Sequence, residues 1–180
     1  MIILTGYSAS GKDSILKELI QFGYKPIISY TTRPIRPTES DGVEYHFISE
    51  DEFKQKQEDG FFAETTSYDM VNGKVFYGSA TEDIDNNPTG IAILNPDGLR
   101  QIKEKGLDVI SFYLDVHVYT LIDRLKKRGD NESEYTRRLK SDQRDFSTIY
   151  DEVDFIINAN NKTPYELADE ILDKLKGRIK

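Results

Sequence analysis

The chain contains no cysteine, which excludes disulfides and any thiolate metal centre. That composition fits the reducing cytoplasm, the expected location. It also lacks an apolar run of membrane-spanning length, so no membrane association is expected. The first residues, Met1-Ile2-Ile3-Leu4-Thr5, already read as a core strand, which leaves no room for a signal peptide. Positive charge is scarce: 24 Lys and Arg stand against 32 Asp and Glu, for a net charge of −8. A broad nucleic-acid surface is therefore not expected, and the basic residues are instead clustered locally. Histidine is limited to His46 and His117. No Ser-His or Cys-His pair of the kind used in nucleophilic catalysis stands out, and both histidines read as structural or surface residues. No repeat or low-complexity tract is found.

What is present suits one domain. A length of 180 residues allows a sizeable core. The hydrophobic share of 37% is modest, but eleven Tyr and nine Phe add bulk. Monomer and homodimer are both open.

The most informative stretch is Gly6-Tyr7-Ser8-Ala9-Ser10-Gly11-Lys12, directly after the first apolar run. Two glycines five apart followed by lysine form the core of a phosphate-binding loop. Glycines let the backbone curl so that successive N–H groups point at phosphate oxygens, and Lys12 reaches the outer phosphates as a point charge. By chance this pattern arises in roughly one chain in twenty of this length, so position has to decide. The match lies between a strand-like run and a helix-like run, Ser14-Ile15-Leu16-Lys17-Glu18-Leu19-Ile20, where the mechanism requires it. The residue after the lysine is normally Ser or Thr, to bind magnesium. Here it is Asp13, and Ser14 comes one position late.

Apolar runs alternate with helical patterns. Strands are expected at Ile2–Thr5, Ile27–Tyr30, Val43–Ile48, Phe61–Thr65, Ile91–Leu94, Val109–Leu114 and Val153–Ile157. Ile91–Leu94 and Val153–Ile157 are nearly all apolar, as in strands buried on both faces of a parallel sheet. Capping boxes are expected at Ser49–Glu52 and Ser79–Glu82. Pro164 opens a last helix carrying the stripe Leu167, Ile171, Leu172 and Leu175. The alternation implies an α/β fold with a parallel central sheet. Between Thr31 and Thr66 short strands flank one helix, which reads as a small inserted subdomain.

Two further clusters carry chemistry. In Ser29-Tyr30-Thr31-Thr32-Arg33-Pro34-Ile35-Arg36-Pro37, two arginines are held in a stretch stiffened by proline, and Tyr45 follows. A guanidinium fork binds phosphate bidentately and tyrosine adds a neutral donor; a solvated loop is the plainer alternative. Later, Arg124, Arg128, Arg137 and Arg138 flank the acidic, flexible-looking run 130–134. That pattern reads as a lid over phosphates, beside the plainer account of a basic helix end closed by Gly129.

At this point the chain resembles the guanylate kinase family, over nearly its full length. The matching pieces, in the family's order, are Gly6–Lys12, Ser29–Arg33 with Arg36, Asp41–Phe47, Phe62-Ala63-Glu64, Phe76-Tyr77-Gly78-Ser79, Arg124-Leu125 with Arg128-Gly129, Arg138-Leu139, and Tyr150-Asp151 with Ile157-Asn158. The resemblance implies a three-layer P-loop nucleotide kinase with a small α+β insert that binds the nucleoside monophosphate, and a helical lid. The core would comprise about 1–30, 80–125 and 150–180, the insert about 31–79 and the lid about 126–149.

The resemblance also implies site roles. Gly6, Ser8, Ala9, Ser10, Gly11, Lys12, Asp13 and Ser14 would bind ATP, and Asn158 would lie near its adenine. Lys12, Arg124, Arg128 and Arg138 would act on the transferring phosphoryl group, while Arg137 reads as a surface neighbour. Arg33, Arg36, Tyr45 and Tyr77 would grip the acceptor's phosphate. Glu64, with Ser29 and Ser79, would read guanine: a carboxylate accepts both N1–H and the 2-amino group, two adjacent donors that adenine lacks. The implied reaction is phosphorylation of GMP, with dGMP as a further acceptor, using ATP and Mg2+. Two departures concern the metal: Asp13, expected to supply the magnesium ligand, and Asn95-Pro96-Asp97-Gly98, where Asn95 or Asp97 takes an aspartate's place. An amide at Asn95 can donate as well as accept, which would weaken guanine selectivity. Another small-molecule or deoxynucleotide kinase on this scaffold, and a catalytically silent binding module, are the alternatives.

Overall fold

The structure is a computed structural model that describes residues 1–70, 73–85 and 87–178. The chain opens with β1 (Ile2–Thr5) and α1 (Lys12–Gln21), then β2 (Lys25–Pro26), β3 (Tyr30–Thr31), β4 (His46–Phe47) and α2 (Glu50–Glu58). A hairpin of β5 (Phe62–Met70) and β6 (Gly73–Ala80) leads through the short α3 (Thr81–Asp85) to β7 (Gly90–Ile93), α4 (Pro96–Glu104) and β8 (Ile110–Asp115). There follow α5 (Val118–Arg128), α6 (Glu132–Asp145), a 3-10 turn at Ile149–Asp151, β9 (Phe155–Asn158) and α7 (Pro164–Arg178).

Five strands form a parallel sheet in the order β2-β7-β1-β8-β9. β1 is central, so both its faces are covered and all four residues are buried. Its alternation sends Ile2 and Leu4 into one apolar cluster with Ile15 and Leu19 of α1 and Leu167, Ile171 and Leu175 of α7. Ile3 joins the opposite cluster with Leu99 and Ile102 of α4. This three-layer α/β arrangement is the expected fold class. It places the end of β1, and the loop that follows, at the carboxyl edge of the sheet, where open α/β sheets bind ligands.

A second sheet, ordered β4-β3-β6-β5, makes the smaller α+β unit. Phe53 of α2 is fully buried and stacks on Phe62 at 4.5 Å between ring centres, with Phe76 at 5.5 Å. Its start follows the expected capping box: Ser49 accepts from the Glu52 N–H at 3.1 Å. Thr163 and Glu166 cap α7 reciprocally, ahead of Pro164 at the helix start.

Several expected elements differ. Of the run Ile27–Tyr30 only Tyr30 lies in a strand: β2, which pairs with β7, ends just before the run at Pro26, β3 pairs with β6, and the chain crosses from one sheet to the other between them. Within Val43–Ile48 only His46 and Phe47 form a strand, because a turn at Gly42, whose φ is 75°, precedes them. Val153–Ile157 is not covered on both faces. β9 is a sheet edge and Ile156 is 41% exposed. Ser79 does not cap a helix; it lies within β6, and α3 starts only at Thr81. The acidic run 130–134 is no loose lid loop: Asn131 caps α6 by accepting from the Ser133 N–H at 2.9 Å, and the helix begins at Glu132. Arg137, read as a surface neighbour, is exposed and paired with Glu134.

Candidate active site

The loop after β1 is built from local constraints. A Cβ on Gly6 would lie 2.8 Å from Ser10 Oγ and 3.2 Å from the Leu114 carbonyl oxygen, so only glycine lets the loop turn this tightly against β8. Gly11, at φ 106°, is left-handed just before α1. Ala9 is also left-handed, at φ 64°, a conformation that costs on the order of 1–2 kcal/mol and clusters at functional sites. Lys12 turns its ammonium back onto the loop, donating to the carbonyls of Gly6 at 2.6 Å and Tyr7 at 2.9 Å. Burial pushes its pKa down to about 8. Arg124 of α5 donates to the carbonyls of Ala9 at 3.1 Å and Ser10 at 2.9 Å. The loop's carbonyls are thus held by cations. A cleft of about 370 Å3 lies here, lined by Ala9 to Ile15 together with Arg124, Arg128 and Lys162.

The second cavity, about 630 Å3, lies between the parallel sheet and the smaller one. Glu64 lines it and is only 3% exposed. Its position comes from an irregularity in β5: the register with β6 shifts between Phe62 and Glu64, which sets Glu64 opposite Ser79. Ser79 Oγ donates to Glu64 Oε1 at 2.8 Å, and Ser29 Oγ lies 3.0 Å from Ser79 Oγ. Burial raises the Glu64 pKa to about 7 against the opposing hydrogen bonds from Ser79. The three residues expected to read a base are therefore one hydrogen-bonded set, with the carboxylate facing the cavity and Ser79 behind it.

Tyr45, Tyr77 and Tyr68 form a connected wall, with ring centres 5.7 Å and 5.8 Å apart. Arg33 sits behind Tyr45, 5.5 Å from its ring centre, and is closed on Glu39. Arg36 is exposed beside it, and its backbone N–H also donates to Glu39. Of the two candidates after β7, Asn95 lines the cavity and Asp97 does not, accepting instead from Gln101 at 2.9 Å. Asn95 is fully committed. Its Oδ1 accepts from the Gly98 N–H that opens α4, and its amide donates to Thr66 Oγ1 and Tyr68 Oη.

Asp13 borders both cavities. It is the exposed first-turn carboxylate of α1, a hard oxygen donor of the kind magnesium accepts. No group of three or more His, Asp or Glu suited to a metal occurs among the described residues. A cation held here would therefore take its remaining ligands from phosphate oxygens and water.

Two of the arginines expected in a lid are paired within their own segment: Arg128 with Asp130, and Arg138 with Glu134 at 2.9 Å. Asn158 ends β9 and makes a turn in which its Oδ1 accepts from Asn160. Sequence reasoning missed Thr66, Tyr68 and Gln101, which tie β5 to α4. It also missed Asp142 of α6, whose carboxylate accepts from the Ser8 N–H at 2.7 Å.

The guanylate kinase family model matches residues 1–178. The chain belongs to the guanylate kinase family. It is 35% identical over 181 residues to the guanylate kinase of Bartonella henselae, covering 95% of this chain and 79% of that one. It is 31% identical over 188 residues to that of Caldanaerobacter subterraneus subsp. tengcongensis, covering 99% and 85%. In fold it is similar to the crystal structure of guanylate kinase from Anaplasma phagocytophilum, with a TM-score of 0.71 at 22% identity, covering 100% of this chain and 86% of that one. A shikimate kinase from Acinetobacter baumannii shares the fold more distantly, at a TM-score of 0.55 and 12% identity, covering 99% and 94%. This guanylate kinase family member departs from the pattern of the resemblance at Asp13 and in Asn95-Pro96-Asp97-Gly98, where Asn95 or Asp97 takes an aspartate's place. No helix among the described residues is long and apolar enough to cross a membrane.

Proposed function

We propose that this chain transfers the terminal phosphoryl group of ATP to GMP. The observation that carries this reading is Glu64, a buried carboxylate backed by Ser79 and Ser29 that faces a nucleotide-sized cavity. Asp13, at the head of the phosphate loop, borders that cavity and the donor cleft alike. ATP occupies the cleft over the Gly6–Lys12 loop, contacting Ser8, Ala9, Ser10, Gly11 and Ser14, with its adenine toward Asn158. The acceptor occupies the larger cavity, its base on Glu64 and its phosphate toward Tyr45, Tyr77, Arg33 and Arg36. On this reading the core comprises about 1–30, 80–125 and 150–180, the monophosphate-binding insert about 31–79 and the lid about 126–149.

An oxygen of the acceptor's phosphate attacks the terminal phosphorus, and the bond to the departing ADP oxygen breaks. That oxygen needs no general base, because a phosphate monoester's second pKa is about 6. The demand is for positioning and charge neutralisation. Lys12 leaves the Gly6 and Tyr7 carbonyls for the phosphates, while Arg124, Arg128 and Arg138 stabilise the spread charge of the transition state. Closure of the lid excludes water. Asp13 would hold magnesium, which when bound would further neutralise the phosphate charge. The measurement that tests the reading is ADP release with GMP, dGMP, AMP, CMP, UMP and dTMP as acceptors. Turnover confined to guanine nucleotides is expected. No turnover with any acceptor overturns the reading.

A second reading, a kinase of wider base preference, draws on Asn95. It lines the acceptor cavity, where its amide donates to Thr66 and Tyr68, so a base could be met by a donor group as well as by Glu64. Turnover of dTMP or UMP comparable to GMP in the same assay would favour it.

A further inference from the structure

The phosphate loop already holds an anion of the protein's own. Asp142 lies on α6, distant in sequence, and its Oδ2 accepts from the Ser8 N–H at 2.7 Å. The contact is not a chance reach of a surface side chain. One turn further along α6, Phe146 packs on Tyr7 of the same loop with ring centres 5.0 Å apart, and on Tyr113 of β8 at 5.7 Å. Phe146 is buried, so the end of α6 is pinned on the loop and Asp142 is aimed at Ser8. One turn before Asp142 on the same helix is Arg138.

A carboxylate that accepts loop N–H groups uses the same donors a phosphate oxygen would use. It also sets a negative charge against an arriving triphosphate, at a partly desolvated position where charges interact more strongly than in water. Burial already raises the pKa of Asp142, with Lys12 nearby as an opposing attraction. The ion is therefore held at a strained place, satisfied mainly by Ser8.

We propose that Asp142 is an internal counter-anion of the donor loop, displaced from Ser8 by the terminal phosphate of a nucleoside triphosphate, so that it sets donor affinity. The inference rests on the donor reading of the loop given above. Asp142 acts through the loop as a positioning residue.

The test is isothermal titration calorimetry of the wild type and Asp142→Asn with a non-hydrolysable ATP analogue, inorganic tripolyphosphate and, separately, GMP. The asparagine oxygen still accepts from Ser8, so the loop keeps its contact while the charge is gone. The variant is expected to bind the analogue and tripolyphosphate roughly 5- to 30-fold more tightly, with GMP affinity within about twofold. A purely structural clamp predicts the opposite sign, because weakening it loosens the loop. An Asn variant that binds the analogue equally or less tightly overturns the proposal, and so does an equal gain for GMP. Asp142→Ala, which removes the charge and the competing acceptor together, is expected to bind the analogue more tightly than wild type as well; weaker binding than wild type also overturns the proposal. A wild type that binds neither triphosphate overturns the donor reading together with the proposal. A wild type that binds both, with no gain in the variant, overturns the proposal alone.

Discussion

Glu39 closes the guanidinium fork of Arg33: Nη2 donates to Oε1 at 2.7 Å and Nη1 to Oε2 at 3.0 Å. Both side chains are nearly covered, at 9% and 11% exposure. An acceptor phosphate that uses this fork must share it with, or take it from, a carboxylate. Glu39→Gln leaves the covered guanidinium without its counter-charge, which destabilises the fold. A phosphate would then restore what the mutation removed. The variant is expected to melt lower than wild type, and GMP is expected to raise its Tm by more than it raises that of the wild type. Differential scanning fluorimetry with and without GMP checks this. A smaller GMP-induced shift in the variant would mean that Glu39 orients Arg33 for the phosphate and does not compete with it.

Glu64 gives a pH dependence with a definite sign. Its pKa lies near 7, because burial disfavours the charged form. The proposed reading of guanine needs the carboxylate, so kcat/KM for GMP should rise roughly tenfold per pH unit below about 7 and level off above it. Lys12, with a pKa near 8, loses its charge on the alkaline side and should bring the rate down there. Stability has the opposite slope to the acid limb. The folded pKa exceeds the ordinary 4.5, so Glu64 binds its proton more tightly in the folded protein than in the unfolded one. Its contribution is complete below 4.5 and is lost progressively up to about 7. Glu64→Gln should flatten the fall of Tm across that window and remove the acid limb of kcat/KM while abolishing guanine preference. Persistence of the acid limb in the Gln variant would assign it to another group.

Asp13 tests how the phosphate loop handles its cation. An oxygen ligand is offered either by a carboxylate or by the hydroxyl usual at this place. Asp13→Ser should therefore keep activity within about tenfold, whereas Asp13→Ala should lose most of it and need a higher magnesium concentration for half-maximal rate. Steady-state rates over a magnesium titration separate the outcomes. An Ala variant with wild-type turnover at low magnesium removes Asp13 from the metal's coordination.

Much of this was readable in the chain, and the unreadable part has a common cause. The loop Gly6–Lys12, the capping box at Ser49 and the capped start at Thr163 are local: their chemistry involves residues within a few positions of one another. β6 was not legible as a strand. Lys74, Gly78 and Ser79 dilute its apolar pattern, and its burial is confined to Gly78, Ser79 and Ala80. Missing β6 hid the register shift that aims Glu64, and made Ser79 look like a helix cap. The pairing of Arg33 with Glu39 was hidden for another reason: the spacing admits it, but only the folded turn decides between Glu39 and solvent. Asp142 is the extreme case. Its partner lies 134 residues away, and nothing in the local pattern of α6 distinguishes it from a solvated acid.

Gly98 offers a way to disturb base recognition without disturbing the fold. It lies in the first turn of α4, where its N–H donates to Asn95 Oδ1 at 2.8 Å. A Cβ there would come within 2.9 Å of Glu64 Oε2 and 3.3 Å of Asn95 Oδ1. The first contact is too close, and Glu64 is the group able to move. Yet Glu64 is held by Ser79 at 2.8 Å, so a shift breaks the geometry shared with Ser29. The helix itself gains, since alanine is favoured over glycine by roughly 0.5–1 kcal/mol inside helices. Gly98→Ala should therefore leave the Tm within a few degrees of wild type while raising KM for GMP about tenfold or more, because one misplaced charged hydrogen bond is worth about 1.5–3 kcal/mol. KM for ATP should be unchanged, as the loop and its cleft lie outside the contact. Equal increases in both KM values would place the damage in the shared scaffold, and an unchanged KM for GMP would take Glu64 out of the base-reading role.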